Sequence, residues 1–211
     1  MRNKSEALEI MKIFRTLDPN PRCELNFTNA YTLLVAVVLS AQSTDKGVNK
    51  ATETLFKIVD TPQKMVDLGL EKLKTYIKTI GLYNNKAQNI IALSKDLVEK
   101  HNGIVPNNRE QLENLAGVGR KTANVVLNVW FNQPTLAVDT HVMRIARRLD
   151  FSKGKTPLEI EKDLIKLLPE EYLKNANHWL VLFGRYICKA QKPDCSNCPI
   201  SMLCHSKDKK I

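Results

Sequence analysis

The sequence predicts an all-α chain. No stretch alternates apolar and polar residues as a half-buried strand would, while apolar residues recur at helical spacing in segment after segment. Capping residues and prolines at first helical positions stand at the starts of several of these segments. Between two of them, Gly117-Val118-Gly119 supplies a tight reversal that joins one short helix to the next.

In chain order, Met1 to Leu17 mixes Glu6 and Glu9 with Leu8, Met11, Ile13 and Phe14, an amphipathic helix without the apolar run of a secretion signal. Asn29 or Thr28 caps a nearly all-apolar helix through Leu39, which is predicted to be buried on most sides. Ser43-Thr44-Asp45 offers caps for a helix carrying Val48, Ala51, Leu55 and Ile58 inward. Thr61-Pro62 is a cap followed by proline, and another short helix runs to about Thr79. Gly81 to Asn85 reads as a turn, and Lys86 to Lys100 as a helix with Ile90, Ile91, Leu97 and Val98 inward. Gly81…Lys86-Ala87 echoes Gly117…Lys121-Thr122-Ala123, but the spacing differs by one and no repeat is inferred.

Pro106-Asn107-Asn108 breaks that helix and starts the one entering the glycine reversal. Asn132-Gln133-Pro134 ends the helix leaving it. Asp139 or Thr140 caps a helix with Val142, Ile145, Ala146 and Leu149 inward. Thr156-Pro157-Leu158-Glu159 is a capping box with proline at the first helical position. A last long helix runs from about Glu170 to Cys188 and leads into a cysteine-rich tail.

At 211 residues the chain can form one core or two small cooperating domains. Its net charge of +10 favours a polyanionic partner, most commonly nucleic acid, although charge alone also suits a ribosome-associated or anionic-membrane protein. Tyr31 to Ala41 is the longest apolar stretch and is too short to span a bilayer, so a soluble, cytoplasmic protein without membrane association is expected.

Three features carry chemistry. At the hairpin, Gly117 and Gly119 are both free to adopt positive φ, and the N–H groups of the turn and the following helix form an anion site. A phosphate is the natural occupant, since a bare glycine turn touches a backbone and reads no base. A ligand-free helical corner has the same pattern, and the adjoining Arg120-Lys121 pair favours the anion. The helix from Lys121 to Phe131 places Ala123, Val126, Leu127 and Trp130 on one stripe.

Second, a lysine at a helix N-terminus is opposed by the dipole and by neighbouring Arg120, which push Lys121 toward the nucleophilic free amine. A lysine that only binds phosphate is the alternative. Asp139 reads equally as a simple N-cap. Third, Cys188, Cys195, Cys198 and Cys204 stand at C-x6-C-x2-C-x5-C. Without a secretory signal a metal is expected rather than disulfides, and spacing alone leaves zinc and an iron–sulfur cluster even. Cys23 stands apart as an apolar core residue.

Leu115-Ala116-Gly117-Val118-Gly119-Arg120-Lys121-Thr122-Ala123, followed by Val138-Asp139-Thr140-His141, resembles the helix–hairpin–helix and Gly/Pro–Asp loop of the endonuclease III family of DNA glycosylases. The resemblance covers nearly the whole chain. It implies a six-helix domain over residues 24–134, with the hairpin at about 112–131. It also implies an iron–sulfur domain formed by residues 1–23 and 135–211, with a DNA cleft between the two. The family carries the same cysteine spacing around a [4Fe-4S] cluster, whose role would be to fix a loop (188–204) on which Lys189 and Lys192 meet DNA phosphates.

The activity implied is that of a bifunctional glycosylase and AP lyase of base excision repair. It would act as a monomer on duplex DNA containing oxidised pyrimidines or abasic sites, in a cytoplasmic, nucleoid-associated setting. Lys121 would attack C1′ and form the Schiff base, and Asp139 would stabilise the oxocarbenium-like centre and manage the lysine's proton. Gln42 and Leu82 match residues inserted where the base was removed, and His141 would lie near the pocket. In adenine-specific relatives the Lys121 position is not lysine, which places this chain with the bifunctional branch. The competing expectations are a monofunctional mismatch glycosylase and a non-catalytic or redox-sensing DNA-binding protein.

Overall fold

Asn29 opens α2 (Ala30–Ser40) with a reciprocal capping box to Thr32, and every residue from Tyr31 to Leu39 is buried. The nearly all-apolar composition has no polar face to offer water, so the helix takes the centre of its unit. The computed structural model describes residues 1–209, and the chain divides into two units, each with its own core. Among the described residues there is no strand, and no helix is long and apolar enough to cross a membrane.

The unit Cys23–Asn132 surrounds α2. It continues with α3 (Asp45–Thr52), α4 (Leu55–Ile58), α5 (Pro62–Leu68), α6 (Leu70–Ile77), α7 (Tyr83–His101), α8 (Arg109–Glu113) and α9 (Arg120–Val129). The helix expected from Asp45 through Ile58 is interrupted at Glu53-Thr54, which turns Ile58 out to 46% exposure and puts Val59 in the core instead. Gly69, at φ 79°, likewise separates α5 from α6. Joining those two interrupted pairs leaves six helices.

Helix α7 starts at Tyr83, three residues before the expected Lys86, because Leu82 completes the reversal in a left-handed conformation. Its inward row is Lys86, Ala87, Ile90, Leu93, Ser94 and Leu97, while Ile91 and Val98 are half-buried. Inside this core the Tyr31 hydroxyl and Ser94 Oγ lie 2.6 Å apart, and burial holds the Tyr31 phenol well above its ordinary pKa. Trp130, expected inward, is the C-cap of α9 and 42% exposed, its ring set edge-on to Phe27. The helix ends there and the stripe ends with it.

The other unit combines Met1–Arg22 with Gln133 and the residues after it. Here α1 (Lys4–Leu17) packs on α12 (Glu170–Tyr186), with Phe14 and Phe183 ring centroids 5.0 Å apart. Helix α10 (Thr140–Arg148) packs against α12 and against α11 (Pro157–Leu167), whose Thr156–Glu159 capping box is present. Helix α12 stops at Tyr186, short of Cys188, because the N–H groups of Ile187 and Cys188 both close onto Phe183 O. A single 3₁₀ turn (Ser201–Leu203) follows within the cysteine segment.

Candidate active site and cysteine pocket

The hairpin is set by local packing. Leu112, Leu115 and Val118 are buried, and Leu115 N–H and Val118 N–H donate to Leu112 O and Leu115 O, each at 3.1 Å. Gly117 takes φ 76°, and a Cβ there would lie 2.9 Å from Asn89 Cβ on α7, so this position has room only for glycine. Gly119 does not use its conformational freedom. Its φ is −99° with ψ 177°, an extended conformation open to any residue, and a Cβ there would meet nothing within 4 Å. One glycine therefore suffices to reverse the chain, since Val118 is buried and the new helix starts directly from extended backbone.

Gly119 is the N-cap of α9 and no side-chain oxygen caps that helix, so the start of α9 presents a cluster of main-chain donors at the positive end of its dipole. Gly117 and Gly119 are exposed, Arg120 is half-buried, and Lys121 is exposed at the second position of α9.

The same unit carries Gln42 and Leu82. Both are exposed, Leu82 at 61%, and both sit in the left-handed region, at φ 55° and 58°. A Cβ on Gly81 would lie 4.0 Å from Gln42 O, so the two turns are neighbours. Among the described residues, six non-glycine residues have positive φ, and Asn102, Asn132 and Asp150 among them are types that tolerate it. The other three are Gln42, Leu82 and Lys192, each already singled out in the sequence as a DNA-contacting candidate. Strain held at exposed positions of unfavourable residue type is a mark of functional sites.

In the other unit, Leu136 and Val138 anchor the approach to α10, and Ala137 N–H donates to Asn177 Oδ1 at 3.1 Å. Asp139 is half-buried and caps α10, its Oδ1 accepting from Val142 N–H at 2.9 Å, which leaves Oδ2 outside that cap. His141 is half-buried in the first turn, with Nδ1 3.2 Å from Arg144 Nη2. Arg144 also donates to Gly184 O and Cys188 O, tying the helix that begins at Asp139 to the start of the cysteine segment.

Cys188, Cys195, Cys198 and Cys204 are all half-buried and line one small pocket, together with Leu149, Phe183 and Ile200. Among the described residues, no three His, Cys, Asp or Glu side chains close on a point that would hold a single metal ion. Burial pushes the Cys198 thiol up, and the other three cysteines push the same way against a backbone hydrogen bond from Ile200.

Two arginines brace this segment. Arg148 donates to Cys188 Sγ at 3.4 Å, Lys189 O at 2.7 Å and Ala190 O at 3.2 Å, and Arg2 donates to Leu149 O and Leu203 O. Lys189 and Lys192 are exposed on it, and Cys23 packs apart, against the core of the other unit.

Sequence reasoning passed over Lys86, Asn89, Arg2, Arg144 and Arg148. Lys86 was open to discovery, since it lies one turn before Ile90 on the buried stripe of α7. The arginines carry no such mark, because exposed helical arginines have the same spacing.

A family model described as HhH-GPD superfamily base excision DNA repair protein matches residues 35–170. An endonuclease III of Haemophilus influenzae is 56% identical over 207 residues, covering 98% of both chains. The chain belongs to the endonuclease III family. An endonuclease III of Escherichia coli is 53% identical with the same coverage. A solved structure of a trapped endonuclease III–DNA covalent intermediate, an estranged-adenine complex, superposes with a TM-score of 0.91 at 46% identity, covering 97% of each chain.

Proposed function

We propose that this chain is a bifunctional DNA glycosylase and AP lyase of base excision repair, acting on oxidised pyrimidines and abasic sites in duplex DNA. The observation that carries the reading is Lys121, an exposed amine in the first turn of the helix that leaves the glycine hairpin. The uncapped start of α9 takes a DNA phosphate, which fixes the strand beside that amine. Among the described residues nothing lies within 4 Å of a Cβ placed on Gly119, and a DNA backbone approaching closely there explains a residue without a side chain.

A damaged base is turned out of the duplex at a cost of roughly a few kcal/mol, and Gln42 and Leu82 occupy the space it leaves. Lys121 Nζ attacks C1′ and the base departs with the glycosidic electron pair. The free oxygen of Asp139 stabilises the positive charge developing on the sugar and accepts the lysine's proton. The amine then forms a Schiff base with the ring-opened sugar, and loss of a C2′ proton expels the 3′ phosphate by β-elimination. His141 lines the pocket, and Arg120, Lys189 and Lys192 bind phosphates. The relative caught covalently on DNA supports a covalent route of this kind.

Four thiol donors spread around one cavity, rather than converging on a point, suit a multi-iron group better than a single zinc ion. Cys188, Cys195, Cys198 and Cys204 would hold a [4Fe-4S] cluster, which supplies structural cross-linking of residues 188–204. The enzyme works as a cytoplasmic monomer.

Borohydride trapping on a duplex with one thymine glycol tests the mechanism. The intact protein gives a covalent adduct, and Lys121→Gln gives none. Tight binding without any adduct from the intact protein overturns the lyase assignment, and base release without strand cleavage would leave a monofunctional glycosylase.

A further inference from the structure

Lys86 is 6% exposed on α7, and its ammonium donates to Leu39 O at 2.9 Å, Ala41 O at 2.6 Å and Ser43 Oγ at 3.0 Å. Three donors thus meet three acceptors and the group is saturated. Leu39 O belongs to the last turn of α2 and Ala41 is its C-cap, where carbonyls lack intrahelical partners and the dipole is negative. Helix α2 has no basic residue in its own last turn, so α7 supplies the cation.

Two of the acceptors, Ala41 and Ser43, flank Gln42 on either side, so the ammonium grips the chain on both sides of that strained residue. Lys86 lies one turn into the helix that Leu82 opens, and its own N–H makes the ordinary first helical bond to Leu82 O at 3.1 Å, as any residue there would. Its side chain therefore fastens the Gln42 turn to the first turn of the helix that starts at Leu82. A buried ammonium is a costly way to close a core, as a well-packed apolar side chain serves stability at least as well. Burial also draws the Lys86 pKa below its ordinary value.

We propose that Lys86 is a positioning residue that holds Gln42 and Leu82 as one preformed wedge for the gap in DNA left by an extruded base. The inference rests on the assignment of Gln42 and Leu82 as the inserted residues. Without the three ammonium bonds the 39–43 turn relaxes from its strained conformation, and each duplex encounter must rebuild the wedge before the base stays out. Lys86 touches no DNA; it acts through the other two.

The test is a double-variant cycle on cleavage of a thymine glycol duplex, comparing the intact protein with Leu82→Ala, Lys86→Met and the combination, alongside thermal melting. Leu82→Ala and Lys86→Met are each expected to lower kcat/KM by about tenfold, and the pair by hardly more than either alone. A merely structural lysine predicts losses that multiply, and that result, or no loss in Lys86→Met, overturns the proposal. If Lys86→Met does not fold, Ser43→Ala removes one acceptor gently, with a loss of about threefold expected that is again non-additive with Leu82→Ala. Full activity in Leu82→Ala would instead remove the wedge assignment itself and the inference with it, while an intact protein that cleaves nothing would mean the proposed function is wrong.

Discussion

The hairpin at residues 112–123 and the cysteine segment at residues 187–204 both shape main chain for a partner, but by different forces. In the hairpin, Leu112, Leu115, Val118 and Ala123 are buried, and Gly117 lies against Asn89, so packing within the unit sets the geometry. In the cysteine segment Ile200 is the sole fully buried apolar residue of its stretch, and much of the loop is tied through its carbonyls to Arg148 and Arg2. Hydrophobic packing is short-ranged and self-contained, whereas a loop poor in apolar residues takes its rigidity from polar braces and from whatever its thiols bind.

Removing the proposed cluster should therefore separate the two regions most. Replacing Cys198 with serine, or treating the protein with an oxidant and an iron chelator, is expected to abolish hydrogen-exchange protection over 187–204 and to lower the melting temperature, while the amides of 112–123 keep theirs. Equal loss in both regions would show that the hairpin also depends on what the four thiols hold.

Gly117→Ala attacks the hairpin's own packing. It forces a Cβ to a φ of 76° and to 2.9 Å from Asn89, and roughly 2–3 kcal/mol of stability should be lost in urea unfolding. Gly119→Ala sharpens the contrast within the same turn. With φ −99° and an open Cβ direction there is no strain, and alanine's weaker fit at an N-cap limits the stability loss to roughly 0.5–1 kcal/mol, while duplex affinity measured by fluorescence anisotropy falls about tenfold. Unchanged affinity in Gly119→Ala would break the assignment of that position to DNA.

The smallest effect concerns the unit carrying the cysteines. Burial holds the His178 imidazole below its ordinary value of 6.5, against a weaker upward pull from Asp18. Between the lowered folded pKa and 6.5 the unfolded chain binds a proton that the folded chain does not, so stability is complete above that window and falls as the pH drops through it. His178→Gln should flatten this acid slope in melting curves without changing the hairpin.

Much of the fold was legible because its signals are local. Asn29, Thr44, Thr61, Asp139 and Thr156 cap helices as their neighbours in sequence suggest, since a cap is an exchange between a side chain and amides two or three residues on. The interruption at Glu53-Thr54 was not legible, because Ile58 and Val59 are equally apolar and only the surrounding helices select which one is buried. Trp130 misleads for a related reason: spacing extends a stripe past the residue where the helix stops. The conformation of Gly119 also escaped, since glycine is permitted both in the strained region and out of it.

The sequence by itself determined the helical class, the caps, the hairpin reversal at Gly117 and the cysteine spacing, because each depends on residues within a turn or two of one another. Only the tertiary structure decided the rest. It brought Lys86 of α7 under the end of α2, 47 residues away from Leu39, and set Asn89 against Gly117. It also gathered four cysteines around one pocket braced by Arg148, and left Gln42, Leu82 and Lys192 in strained conformations that nothing in their residue types announces. Such features depend on which distant groups supply the missing hydrogen-bond partners and which fill the remaining space, and neither is written at any single position of the chain.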